Sequence, residues 1–328
     1  MDLKLINKEE FVKTLLAQRQ TWHDTYLAMY SSIWKGYVVE PACMLVPADD
    51  HLVHRGDGVF DVMRCVCGKI YQLEAHLSRL ERSARAVHID FPKEFEGIRE
   101  LIKTLVVKGG QEECLIRVVL SRGPGSFTAN PFDCPSSQLY VNIVRYHEPP
   151  KSYYEKGVSL ITSKIPVKNS FFATVKSCNY LPNALMKRDA LASGCDYAVA
   201  LDENGFLAEC STENIGVLSM DGHLKFPGFE RTLAGITVQR VAEIALNLVK
   251  NGIIQDVSFS PITPEQAYQA SELFIMGTSV NIVPVKKYDG KKIGKGIPGP
   301  VFLRLSELMK KDMRENSTLL TELEWEKK

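Results

Sequence analysis

The segment Tyr197-Ala-Val-Ala-Leu-Asp-Glu-Asn-Gly-Phe-Leu-Ala-Glu-Cys-Ser-Thr-Glu-Asn214 holds two β-rich runs separated by Glu203-Asn-Gly205. Asn-Gly tolerates the positive φ angles of a tight turn, so the chain is expected to fold back here as a hairpin. A second hairpin follows, Asn214 to Phe226, turning at Asp221-Gly222. Thr237 to Lys250 then changes period. Val238, Val241, Ile244, Ala245 and Leu248 recur at helical spacing, and Gly252 stops the run. Consecutive hairpins backed by an amphipathic helix make this a mixed α/β (α+β) chain.

Working outward toward the N-terminus, Asn179 to Ser193 reads as a helix ended by Gly194 in the left-handed cap position, and Val158 to Ile165 as a strand. His147-Glu-Pro-Pro-Lys151 interrupts regular structure. Before it, Leu115–Ser121 and Leu139–Tyr146 are β-rich runs joined by the loop Arg122-Gly-Pro-Gly-Ser-Phe-Thr-Ala-Asn-Pro131. Glu74 to Val87 is an amphipathic helix with Leu77, Leu80, Ala84 and Val87 as its core stripe and Arg79, Arg82 and Arg85 off it. Phe60 to Val66 alternates as a strand, Gly68-Lys69 turns, and Ile70–Leu73 continues. Residues 4 to about 30 carry a helical pattern with Phe11, Leu15, Leu16 and Trp22 on one face. Toward the C-terminus come a strand near Leu273–Met276, a Gly-rich loop and a helix from Pro300. The expected organisation is an N-terminal helical extension (1–36), a small α/β domain (37–147), a linker (148–155) and a large C-terminal domain (156–328).

The chain has 328 residues, 45% of them hydrophobic, which suffices for two cores. Forty basic against thirty-nine acidic side chains leave a net charge of +1, so no global field favours nucleic acid or an anionic membrane. The start, Met-Asp-Leu-Lys-Leu-Ile, lacks the pattern of a signal peptide, and no apolar run approaches the roughly 20 residues of a membrane span. Eight scattered cysteines form no Cys-x-x-Cys pair. They read as free thiols of a reducing cytoplasm, with Cys65 and Cys67 on one strand face, and no metal site is expected.

Several segments, taken in order, resemble the class IV aminotransferases, the fold-type IV pyridoxal-phosphate enzymes. That family includes branched-chain aminotransferases, D-amino-acid aminotransferases and aminodeoxychorismate lyases. The segments are His54-Arg-Gly-Asp-Gly-Val-Phe60, His76-Leu-Ser-Arg-Leu-Glu-Arg-Ser-Ala84, Lys176-Ser-Cys-Asn-Tyr-Leu-Pro-Asn183, Glu209-Cys-Ser-Thr-Glu-Asn214, Leu233-Ala-Gly-Ile-Thr237, and Gly277-Thr-Ser279 with Val283-Pro-Val285. They extend over about residues 40 to 306. Each alone is a weak signal; together they carry the likeness. The resemblance implies a two-domain D-amino-acid aminotransferase-like fold with pyridoxal 5'-phosphate in the cleft between domains, held by the C-terminal domain. It also implies a homodimer acting on small amino acids and 2-oxo acids.

The implied roles match what these residue types can do. Lys176 matches the family's Schiff-base lysine, whose amine bonds the cofactor aldehyde and then shuttles a proton. A surface lysine is the ordinary alternative for that residue alone. Glu209 matches the carboxylate that keeps the cofactor ring nitrogen protonated. Arg79 matches the phosphate-binding arginine, whose planar fork pairs with phosphate oxygens. Gly235-Ile236-Thr237 precedes a helix, where free N–H groups and the helix dipole favour an anion. Thr278 is expected to add a hydroxyl, Leu233 to pack on the ring, and Tyr180 to neighbour its phenolic oxygen. For Arg82 and Arg85 a solvated helix face is the preferred reading.

Substrate choice is less legible. The loop Ser126-Phe-Thr-Ala-Asn130 lacks the Arg-x-His pair of the best-known D-amino-acid aminotransferases. Arg117 aligns with an arginine that branched-chain enzymes use for the distal carboxylate of glutamate, and Glu213-Asn214 fits the branched-chain pattern. Phe60 is a candidate for an apolar side-chain pocket, and Ser279 for substrate contact. Against this, Ser121-Arg-Gly-Pro-Gly-Ser126 and Asp49-Asp-His-Leu-Val-His-Arg55 resemble plant-type members near the D-amino-acid transaminases and lyases. The leading expectation is transfer of an amino group from an aliphatic, branched-chain amino acid to a 2-oxo acid such as 2-oxoglutarate. A D-amino-acid transaminase, an aminodeoxychorismate lyase and a non-catalytic binding protein on this fold stay open.

Overall fold

A computed structural model describes residues 3–168 and 170–325, so the outermost residues of the two terminal segments lie outside it. The chain forms two compact units. The first takes the chain up to Leu73, then Ala84–Tyr146 and the stretch from Thr321; the second takes Glu74–Ser83 and His147–Leu320.

The first unit is built on a seven-stranded sheet whose centre is Gly58–Val66, Cys114–Ser121 and Gln138–Arg145. These pair antiparallel in unbroken register, Gly58 opposite Ser121 through Cys65 opposite Cys114. Side chains alternate across such strands. Val59, Met63, Cys65, Ile116, Val118 and Ile143 are almost fully buried. The amphipathic helix Ile98–Gly109, which the sequence reading passed over, packs on the strands around Ile143, with Ile98, Ile102, Leu105 and Val106 inward. Phe60 and Arg117 lie on the other face.

The N-terminal reading needs correction. An α-helix covers only Lys8–Ala17, with a separate 3-10 turn at Thr21–Thr25, and neither buries a residue; Phe11, Leu16 and Trp22 stay about half exposed. Tyr26–Ser31 is a strand beside Gln138–Arg145, with Ala28, Met29 and Tyr30 buried. Pairing on both sides, with Gly36–Val38 and Gln138–Arg145, overrides the helical pattern here. Cys65 and Cys67 do not share a face either. The strand ends at Val66, and Cys67 turns outward at φ 49°.

The second unit is a nine-stranded sheet that closes on itself. Asn214–Leu218, Glu272–Gly277, Asn281–Tyr288, Val158–Thr162, Tyr197–Leu201 and Leu207–Cys210 follow one another, and Glu209 then pairs with Asn214 to complete the ring. Both expected hairpins are present. Closure leaves these strands without a free edge. Its interior is a core of Val158, Leu160, Val199, Ile215, Ile275, Val283 and Tyr288, among others. The strand Asn281–Tyr288 escaped the sequence reading because Pro284 and Lys286-Lys287 break its apolar alternation. The segment read as linker contains the short helix Lys151–Lys156. Gly194, at φ 67°, follows the helix Leu181–Ala192 as expected.

Candidate functional site

The pairing that closes the ring, Glu209 with Asn214, is also where the second unit gathers its polar residues. The Glu209 carboxylate accepts from the Leu233 backbone N–H at 3.1 Å. The Asn214 amide donates to the Leu233 carbonyl at 3.1 Å. These two bonds strap the Leu233–Gly235 loop to the closing strands. A Cβ on Gly235 would stand 1.9 Å from Asn214 Oδ1, so only glycine lets the loop lie so close.

The helix Ile236–Lys250 starts immediately after this loop. Gly235 caps it without a side-chain hydrogen bond, and Thr237 in its first turn is 7% exposed. Its first N–H groups and the positive end of a fifteen-residue helix thus converge beside the loop. Arg79, 5% exposed, reaches the same loop, its guanidinium donating to the Ala234 carbonyl at 3.4 Å and approaching His76 Nδ1 at 3.5 Å. A buried guanidinium is stable only among acceptors or anions.

One turn further along Arg79's helix, Ser83 Oγ accepts from the Lys176 backbone N–H at 3.2 Å. Lys176 is half-buried, and its amine donates to the Tyr180 hydroxyl at 3.4 Å. Glu209 and Glu213 both feel the Lys176 charge. Burial pushes both carboxyls above the usual range. For Glu209 the Leu233 N–H, Lys168 and Lys176 pull it back; for Glu213 the Thr212 hydrogen bonds and Lys187 and Lys176 do so. Thr278 and Ser279 occupy the turn between Glu272–Gly277 and Asn281–Tyr288, whose Gly277 lies against Thr212 and Glu213.

Arg79, Leu233, Gly235 and Glu209 are therefore linked through hydrogen bonds and close packing, and Lys176 with Tyr180 joins them through Ser83 and through charge. Ile236 and Thr237 continue from the loop, and Thr278 and Ser279 approach through Gly277. Phe60 and Arg117 belong to the first unit, where the guanidinium lies 5.5 Å from the Phe60 ring centre. Sequence reading missed Ser83, Asn214 and Lys168 as members of this group. Ser83's position one turn after Arg79 was the available signal. The Asp49–Arg55 run and the loop after Ser121 belong together. Asp50 caps the helix His51–Arg55, and Arg55 and His51 donate to carbonyls of Ser126, Phe127 and Thr128.

The donor set fits a phosphorylated, ring-bearing aldehyde. There is an open helix N-terminus with a buried arginine for the phosphate, a carboxylate for a ring nitrogen, and an amine for the aldehyde.

Comparison with known proteins agrees with that chemistry. The family model for amino-transferase class IV matches residues 58–288. The chain is 37% identical over 290 residues to a chloroplastic D-amino-acid transaminase of Arabidopsis thaliana, covering 88% of this chain and 77% of that protein. A putative branched-chain-amino-acid aminotransferase of Methanocaldococcus jannaschii is 32% identical, over 84% of this chain and 93% of its own. Among solved structures, the branched-chain amino acid aminotransferase of T.th. with pyridoxamine 5'-phosphate superposes with a TM-score of 0.83 at 29% identity, covering 91% of this chain and 99% of that one. The chain with the strapped loop and the half-buried Lys176 belongs to the class IV aminotransferase family and is a pyridoxal-phosphate-dependent enzyme of that family.

Proposed function

We propose that the chain moves an amino group from a branched-chain L-amino acid to a 2-oxo acid such as 2-oxoglutarate, with Lys176 as the catalytic lysine. The observation that carries the assignment of the site is the Arg79–Ala234, Leu233–Glu209 strap with Lys176 and Tyr180 beside it. Pyridoxal phosphate, when bound, supplies a conjugated ring that accepts the electron pair left at the substrate Cα. Arg79 and the N–H groups of Ile236 and Thr237 would hold its phosphate, with the Thr278 hydroxyl in support. Glu209 would keep a proton on the ring nitrogen, Tyr180 would donate toward the phenolic oxygen, and Leu233 would pack against the ring. Lys176 would supply the amine that bonds the aldehyde and, once free again, would hold and move the proton taken from the substrate Cα.

The substrate class rests on the chemistry of the first unit. Arg117 beside Phe60 offers one cation next to an apolar surface, which suits an aliphatic side chain and a distal carboxylate in turn. The loop Ser126–Asn130 brings no cation of its own; Asp133 ties it by accepting from Ser126, Thr128 and Asn130. The likeness to the Arabidopsis D-amino-acid transaminase favours a second reading, a D-amino-acid transaminase.

The absorbance spectrum decides between them. L-leucine, and not D-alanine, is expected to discharge the band of the lysine-bound cofactor into the pyridoxamine form. A response to D-alanine alone moves the assignment to the second reading. A stable band that neither amino acid changes points to the lyase. We further place the protein in a reducing compartment such as the cytoplasm, where its free thiols persist. We propose a homodimer, to be checked by sedimentation. No described helix is long and apolar enough to cross a membrane.

A further inference from the structure

A second lysine approaches the same Tyr180 ring as Lys176. The segment from Ser163 to Lys168 is laid along the strand Tyr197–Leu201 by backbone hydrogen bonds, Ser163 to Val199 at 2.8 Å and Val167 to Leu201 at 3.2 Å. That anchoring carries the Lys168 amine to 5.1 Å from the centre of the Tyr180 ring. The Lys176 amine is 5.9 Å from the centre of that ring. Both lysines also act on Glu209, Lys168 more strongly than Lys176. Lys168 is half-buried, and burial pushes its proton affinity down while Glu209 and Cys178 oppose the fall. Nothing in the chemistry assigned to the site so far uses this residue.

We propose that Lys168 is a positioning residue of the catalytic site whose ammonium group, sharing the Tyr180 ring and the Glu209 carboxylate with Lys176, keeps the Lys176 amine from holding its proton. The inference rests on the assignment of Lys176 as the reactive lysine. An amine attacks an aldehyde only when neutral, and a nearby cation in a partly dry pocket lowers the cost of losing its proton. The other charged or titratable groups of the site lie on these elements. Tyr180 and Cys178 lie on its own segment, and Glu209 and Glu213 on the closing strands. Lys187, on the helix Leu181–Ala192, acts on Glu213, and Arg79 lies on the helix whose Ser83 holds the Lys176 backbone. The two carboxylates favour a charged Lys176; Lys168, whose amine approaches the same Tyr180 ring, is the group that opposes them.

The test reads the proton affinity of Lys176 directly, in cofactor-free protein. Trace acetic anhydride is applied across a pH series, and acetylation of Lys176 is followed by mass spectrometry of its peptide. In Lys168→Met the midpoint is expected to rise by roughly one unit, a tenfold gain in proton affinity. Lys168→Arg, which keeps the charge, is expected to leave it near that of the unmodified chain. Lys168→Gln gives the same readout if the Met variant does not fold. An unmoved midpoint in the neutral variants overturns the proposal, as does an Arg variant that shifts as far as they do. With cofactor added, the pH dependence of the visible band should move in the same direction. Absence of that band in the unmodified protein would sink the assignment of Lys176, whereas the acetylation series judges Lys168 independently.

Discussion

Glu209 shows how function and stability pull one residue in opposite directions. Burial raises its proton affinity against the pull of the Leu233 N–H and the two lysines. A carboxyl whose pKa is raised on folding contributes stability that is fully present below its unfolded value and is lost as pH rises through the folded value. Ionising the half-buried Glu209 of the cofactor-free chain therefore costs stability as pH rises. Glu209→Gln is expected to raise the melting temperature of the cofactor-free protein, read by calorimetry. The same change should lower transaminase turnover about ten- to a hundredfold, because the ring nitrogen loses the charge that keeps it protonated. Lys176→Ala should remove both the lysine-bound cofactor band and the turnover, the latter by at least about 10²–10⁴-fold. Retained full activity in that variant would overturn the assignment of Lys176.

At the scale of elements, the loop Leu233–Gly235 and the helix that follows it act as one device. The loop is held at both ends of the Leu233 peptide, and the helix presents its free N–H groups because nothing in the loop caps them. Gly235 has an ordinary φ of −65°, so its backbone alone would accept alanine. The obstacle is the Asn214 amide. Gly235→Ala is expected to weaken cofactor binding and to cost about 1–3 kcal/mol of stability by overpacking, measured by denaturant titration. Adding Asn214→Ala should recover part of the stability, since the clash partner is gone; no recovery would place the obstacle elsewhere. A similar device starts the C-terminal helix Pro300–Glu315. Glu272, 8% exposed, reaches from its strand to accept the N–H groups of Val301 and Phe302 at 2.9 and 2.8 Å. Glu272→Ala should cost about 0.5–2 kcal/mol, the usual loss of an N-cap acceptor.

At the scale of the molecule, the closed ring of strands in the second unit carries Glu209 and Asn214, the residues proposed to position the cofactor loop. Ile275 is fully buried in its interior core. Ile275→Ala should cost about 2–5 kcal/mol, as for any fully buried aliphatic truncation. Pyridoxal phosphate at a hundred times its Kd should return about 2.7 kcal/mol of that, because it binds the folded unit. A melting temperature indifferent to cofactor would place the phosphate site outside this unit.

The hairpins about Asn204-Gly205 and Asp221-Gly222, the helix after Leu233 and the Lys176, Glu209 and Arg79 segments were all legible in sequence. Each depends on local turn chemistry, on a 3.6-residue period, or on a motif that the resemblance supplied whole. Some features were not legible. The strand Tyr26–Ser31 took its form from a neighbouring edge, Asn281–Tyr288 from a place in a closed ring that outweighed Pro284, and the outward turn of Cys67 from where its strand ends. The meeting of Lys168 with Tyr180, and of Asn214 with Gly235, likewise joins residues distant in the chain. By itself the sequence determined the family, the α+β class and the residue types available for catalysis, because these follow from local pattern. Only the tertiary structure decided which strand closes the ring and which second amine shares the ring of Tyr180, because backbone pairing and the burial of charge are settled by neighbours that sequence order does not supply.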